Sequence, residues 1–292
     1  HLWEVFAERY KGFAWVAGYN PINEPYDVAE DKIDGVYRRL YDAIRAIDPD
    51  HILFLEGNRY SKDFHMFSGA LPNAVYTNHL YAAPGFISGG PYPGETRGQY
   101  WDKETIVEEY FANSQFMLQH NVPIWVGEFG PVYTGNPQQD AMRYRLLNDQ
   151  LEVYNYYQAN WAIWLYKDIG LQGVVYTHPD SPYMQRIRPF LDKKTRLGAD
   201  AWGGPEDGVA HIMRPVEELL AKEFPGFNPG PFGAMWLARR LIRHILIAEA
   251  LAPEYGELFR GMSENEIDHM MQSFQFKNCV IRQPLAEALS VR

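Results

Sequence analysis

Two carboxylates stand where loops would follow buried strands. Glu24 lies in Asn-Glu-Pro (23–25) and Glu128 in Val-Gly-Glu-Phe-Gly (126–130). In α/β barrels the loops at the C-terminal ends of the strands build the active site, so a carboxylate there is a catalytic candidate. Two carboxyls held close together can divide two tasks. Burial and like-charge repulsion keep one protonated as a general acid, while the other stays ionised as a nucleophile. His79 and Tyr81 share one face of an intervening apolar run, and Trp164 lies in a later one. Each motif alone is ordinary turn or core sequence. Their succession, strand end after strand end, singles them out.

Periodicity supplies the elements that would carry these residues. Short apolar runs at 13–17, 51–56, 74–81, 123–128 and 161–166 read as buried strands. Helical spacing is expected over 1–12, 29–48, 103–120 and 138–158. Continuous apolar strands separated by helices predict an α/β fold with a parallel sheet covered on both faces. After Gly173 the strands are expected to stop. Residues 174–205 read as irregular, and helices are expected at 206–223, 231–251 and 263–273. The division is therefore 1–173 as the sheet-bearing part and 174–292 as an irregular segment with helices packed on it.

Composition narrows the function classes. The 292 residues carry 27 Lys and Arg against 37 Asp and Glu, a net charge of −10, which lacks the basic footprint of a nucleic-acid binder. No apolar run approaches the ~20 residues of a membrane-spanning helix. The single cysteine, Cys279, has no partner for an internal disulfide or a CxxC site. No His/Cys/Asp spacing typical of metal ligands and no glycine-rich phosphate loop occurs, so no cofactor or metal is implied. Aromatic residues make up 15%, which suits either core packing or flat surfaces that stack on sugar rings. The chain opens inside a helical pattern with no Met or leader, so it is expected to continue a longer chain, and its compartment stays open.

Four phrases resemble glycoside hydrolase family 5, the cellulase-like family of retaining glycosidases on (β/α)8 barrels. They are Gly18-Tyr-Asn-Pro-Ile-Asn-Glu-Pro25, Ile47-Asp-Pro-Asp-His-Ile-Leu-Phe-Leu-Glu-Gly57, Asn78-His-Leu-Tyr81 and Pro123-Ile-Trp-Val-Gly-Glu-Phe-Gly130. The resemblance runs over about 1–173 and implies barrel strands four to eight. It implies Glu24 as acid/base and Glu128 as nucleophile. It also implies that Asn23 bonds the sugar 2-hydroxyl, that Tyr81 donates to Glu128, that His79 lines the same subsite, and that Trp164 forms a stacking floor. The implied activity is that of a retaining β-glycosidase on β-linked glucosides, endoglucanase-like. The alternative is an inactive carbohydrate-binding protein that keeps the cleft.

The remaining candidates are peripheral. Loop 84–101 would sit on the active face, with Phe86, Tyr92, Tyr100 and Trp101 shaping a cleft or packing among themselves. Lys167 and Asp168 either contact substrate hydroxyls or pair with each other. His178, Asp180 and Trp202 are weaker subsite candidates. Trp236 and its apolar neighbours read as core, with Arg239, Arg240 and Arg243 as a solvated face. Only about five of the eight barrel strands are legible. An N-terminal fragment or second chain is therefore expected to supply strands one to three, besides the β-linked saccharide partner.

Overall fold

Residues 1–27, 29–199, 208–227 and 233–290 are described by the computed structural model. Its strands are β1 (Gly18–Tyr19), β2 (Ile52–Glu56), β3 (Ala74–His79), β4 (Gly94–Thr96), β5 (Gln99–Trp101), β6 (Ile124–Glu128), β7 (Asn160–Trp161), β8 (Lys167–Asp168), β9 (Val175–Thr177) and β10 (Cys279–Ile281). Five of them form one sheet in the order β1-β2-β3-β6-β7, with every neighbouring pair parallel. Helices Ile33–Arg45, Lys103–His120 and Pro137–Tyr156 make the crossovers. This is the expected α/β architecture, a five-strand stretch of a (β/α)8 barrel with helices appended.

Local chemistry starts these helices where they begin. Asp102 accepts the Thr105 N–H and caps Lys103–His120, and Asn121 ends that helix in the left-handed region. Asn136 caps Pro137–Tyr156, with proline at the first helical position. Two apolar clusters result. One gathers Tyr37, Ile44, Leu53, Leu55, Tyr76 and Met117. The other gathers Val126, Phe129, Leu146, Leu147, Leu151 and Tyr154, and Ile124 packs against both.

The structure corrects the sequence reading in four places. The run 13–17 forms turns, and the strand is confined to Gly18–Tyr19. Gly18 permits the approach to β2, because a Cβ there would meet the Ile52 carbonyl oxygen at 2.1 Å. The run 161–166 pairs only at its first residue. Strands do not stop at Gly173: β8 and β9 pair parallel, and β10 returns antiparallel to β9. Residues 174–205 hold the helix Pro182–Arg196, started by Ser181 as cap and Pro182 at the first position, with Pro189 inside it. That interior proline masked the helix, since proline normally breaks one.

The C-terminal part is built into the sheet-bearing part. Arg282 donates to the carbonyls of Gly170 and Gly173 and lies over the rings of Tyr133 and Tyr176 at 4.3 and 4.8 Å. Helix Gln283–Ser290 places Leu285 in the second core cluster. Arg243 is buried and donates to the Gly198 carbonyl, and Arg239 pairs with Glu217, so neither belongs to a freely solvated face. No helix among the described residues is long and apolar enough to cross a membrane.

Candidate active site

The C-terminal ends of β3 and β6 and the segment after β1 bring four of the sequence-selected residues, Glu24, His79, Tyr81 and Glu128, together. Pairing of β3 with β6 runs Asn78 to Val126 and then His79 to Glu128, so Gly127 is bulged out of register. Side chains alternate faces along a strand, and one inserted residue reverses that alternation. The bulge therefore sets Glu128 abreast of His79. Gly127 must be glycine for this approach, because a Cβ would lie 2.4 Å from Thr77 Oγ1 and 3.3 Å from His79 Nε2.

His79 is the hub. Its Nδ1 lies 2.8 Å from Glu24 Oε1 and 3.4 Å from Glu128 Oε2. Its Nε2 lies 3.7 Å from Glu56 Oε2. One oxygen from Glu24, one from Glu128 and a nitrogen of His79 all fall within 4.8 Å of one another. The Tyr81 hydroxyl donates to Glu128 Oε2 at 2.8 Å.

The electrostatics follow from this crowding. Burial pushes the His79 imidazolium toward losing its proton, but the Glu24 hydrogen bond and the charges of Glu56 and Glu128 outweigh it, so its pKa is raised. Glu128 is also held above the usual carboxylate range. Its burial is the main cause, opposed by His79 and the Tyr81 bond and reinforced by Glu24 and Glu56. Of the two carboxylates, Glu128 has the more buried side chain, 13% exposed against 29% for Glu24. Tyr81 is held protonated by its own burial and by the adjacent Glu128.

The other candidates are placed as follows. Asn23 is exposed immediately before Glu24. Trp164 is 43% exposed, and its backbone N–H donates to the Phe129 carbonyl, which sets it beside the residue after Glu128. Trp101 does not line a cleft. It is 4% exposed and packs in the core, so it presents no face to a ligand. Tyr92 is buried with it and bonds Asp149 of helix Pro137–Tyr156, so loop 84–101 packs down on that helix. Phe86 lies 6.5 Å from the Tyr81 ring, under the Arg97 guanidinium. Lys167 donates to the Phe274 carbonyl, and Asp168 accepts the N–H groups of Gly170, Leu171 and Gln172, so both serve the loop and the C-terminal segment. His178 and Asp180 are exposed ahead of helix Pro182–Arg196, and Trp202 lies outside the described residues.

The family described as cellulase, glycosyl hydrolase family 5, matches residues 1–169. This chain belongs to that family. Among curated relatives, a β-xylosidase from Phanerodontia chrysosporium is 39% identical over 305 residues, covering 99% of this chain. Endoglucanase H from Acetivibrio thermocellus is 24% identical over 152 residues, covering 51% of this chain and 17% of its own length. The chain spans 63% of the length of the β-xylosidase. Among solved structures, an endoglucanase from the hyperthermophilic Thermotoga maritima superposes with a TM-score of 0.48 at 20% identity, over 56% of each chain.

Sequence reasoning passed over Glu56, which ends β2 and reaches His79 and the Glu24 backbone. The signal was present: Glu56 is a strand-end carboxylate like Glu24 and Glu128. It also passed over Tyr26 and Tyr60, whose rings lie 5.2 Å apart. Tyr60 has its pKa raised, first by burial; Arg240 opposes the rise and Glu24 adds to it. A second group, Glu30, Asp63 and His65, also brings three potential ligand atoms within 4.8 Å. Arg59 already pairs with both of its carboxylates.

Proposed function

We propose that the chain forms the catalytic half of a retaining β-glycosidase acting on β-linked glucosides or xylosides. The observation that carries this reading is the approach of Glu24 and Glu128 to within 4.8 Å across His79. Carboxyl pairs about 5 Å apart suit a covalent glycosyl-enzyme, whereas pairs about 6.5–9.5 Å apart leave room for an attacking water. Glu128, ionised, attacks the anomeric carbon as the bond to the leaving oxygen breaks and Glu24 delivers its proton there. Glu24 then takes a proton from water, the hydroxide attacks the same carbon, and the ester to Glu128 breaks. The Tyr81 hydroxyl supports the ionised form of Glu128. Trp164, exposed beside this pair, supplies a flat apolar face for the sugar.

The names of the relatives, a β-xylosidase and an endoglucanase, support the substrate class. Strand β1 is an edge of the sheet, and beside it Phe13 is exposed and Trp15 is 97% exposed. This fits a complete site in which further parallel strands, from an N-terminal fragment or a second chain, cover that edge. Intact mass of the active species reads whether they are present.

The test is hydrolysis of aryl β-glucoside, β-cellobioside and β-xyloside, with the product anomer followed by NMR. Retention of configuration and a bell-shaped pH profile are expected. Glu128→Gln is expected to lower turnover by roughly 10⁴-fold or more while glycan binding survives. Glycan binding without turnover in the wild type establishes the carbohydrate-binding alternative, and inversion of the anomer rules out the covalent route.

A further inference from the structure

We propose that Glu56 is a positioning residue for Glu24, fixing its backbone so that the carboxyl reaches His79 and the bond to be cleaved. This rests on the glycosidase reading of Glu24.

Glu56 ends β2 and is 2% exposed. A buried carboxylate is costly unless its oxygens are bonded. Both are. Oε2 accepts the backbone N–H of Glu24 at 2.6 Å, and Oε1 accepts the Asn20 side-chain amide at 2.9 Å. Bonds to an ionised acceptor are short and strong. The residue they hold needs holding: Glu24 has φ 46, in the left-handed region that L side chains seldom adopt. Glu56 is itself fixed, since its own N–H donates to the Tyr37 hydroxyl at 3.1 Å. A chain of contacts therefore runs from Tyr37 through Glu56 to the Glu24 backbone, and from the Glu24 carboxyl to His79.

Core filling does not explain this side chain. Leu53 and Leu55 fill the core from the same strand. Glu56 instead spends its polar atoms on the segment 20–24, which no ladder of the sheet holds beyond Tyr19. The same carboxylate faces His79 Nε2 at 3.7 Å while Glu24 and Glu128 face Nδ1, so the imidazole sits among three carboxyls with Tyr81 behind Glu128.

The test uses the full chain and two aryl β-glycosides of a sugar that the wild type cleaves. Phenol is a poor leaving group and needs a proton from the acid. 2,4-Dinitrophenol is a good one and needs little. Glu56→Ala is expected to lose kcat/KM on the phenyl glycoside by about 10- to 100-fold, a part of the roughly 10²–10⁴-fold that acid catalysis supplies, and on the dinitrophenyl glycoside by less than about threefold. Glu56→Gln, whose amide oxygen still accepts the Glu24 N–H, is expected to recover most of the loss. Glu56→Asp, which retracts the carboxylate by one methylene, repeats the comparison with a milder change. Equal losses on both substrates, or none, overturn the proposal. Crystal structures of the same variants give a reading independent of turnover. Glu24 leaving its left-handed conformation and its contact with His79 in Glu56→Ala supports the clamp, and unchanged geometry overturns it. Failure of Glu24→Ala to separate the two substrates counts instead against Glu24 as the acid, and the crystallographic comparison still decides the clamp.

Discussion

At the scale of single residues, Glu128 carries a conflict. Its bond from Tyr81 and its proximity to His79 favour the carboxylate, yet burial and two neighbouring carboxyls hold its pKa above the ordinary value. A group whose folded-state pKa is raised binds its proton more tightly folded than unfolded. The folded state is therefore penalised at pH above the folded value, and the penalty fades as pH falls toward the unfolded carboxyl value near 4.5. Glu128→Gln removes the charge and keeps an oxygen for the Tyr81 hydroxyl. It is expected to melt higher than wild type at neutral pH, with the difference shrinking to nothing in acid. Thermal melts of both proteins from pH 4 to pH 8 check this, and a variant less stable at pH 8 than at pH 4 relative to wild type contradicts it. Glu24, His79, Tyr81 and Glu128 were legible because strand-end position is written in the order of apolar runs. Glu56 obeys the same rule and lies within one of the family-like phrases, but its role depends on the path of residues 20–24, which the sequence does not show. Trp101 was misread because exposure of a loop aromatic depends on what packs over it.

At the scale of elements, the bulge at Gly127 decides whether the two sides of the site meet. A methyl group there would sit 2.4 Å from Thr77 Oγ1 and 3.2 Å from Trp125 Cδ1. Overpacking of this kind costs about 1–3 kcal/mol and moves its neighbours. The neighbour that matters is His79, 3.3 Å from the same point. Gly127→Ala is expected to lower the denaturant midpoint and to lose at least about tenfold in kcat, given the sensitivity of catalysis to small displacements. A folded Gly127→Ala variant with wild-type kcat would show that His79 tolerates displacement. The capped helix Lys103–His120 was legible to the residue, whereas Pro182–Arg196, also capped, was hidden by its interior proline. Short strands were not. Gly18–Tyr19 and Asn160–Trp161 exist because they lie beside β2 and β6, and no periodicity can appear in two residues. Strands β9 and β10 pair across about a hundred residues, which a local pattern does not reveal.

At the scale of the whole molecule, the C-terminal segment behaves as part of the core and not as an appendage. Leu285 is 1% exposed among residues of helix Pro137–Tyr156 and β6, while β10 pairs with β9 and Arg282 ties to the loop at 170–173. Ile124 packs against both apolar clusters, so loosening one is felt by the other. A large-to-small change at such a site costs about 2–5 kcal/mol, depending on how far the surroundings relax. Leu285→Ala is therefore expected to lower the stability of the sheet as well as of the terminal helix. Near-ultraviolet circular dichroism, which reads the buried aromatics of both clusters, is expected to show one transition shifted to lower denaturant, together with loss of glycosidase activity over the same range. If the terminal helix melted first, with the aromatic signal and the activity unchanged, residues 279–290 would be a detachable addition. The antiparallel pairing of β10 with β9, whose partner β8 begins three residues after Trp164, argues for the single transition.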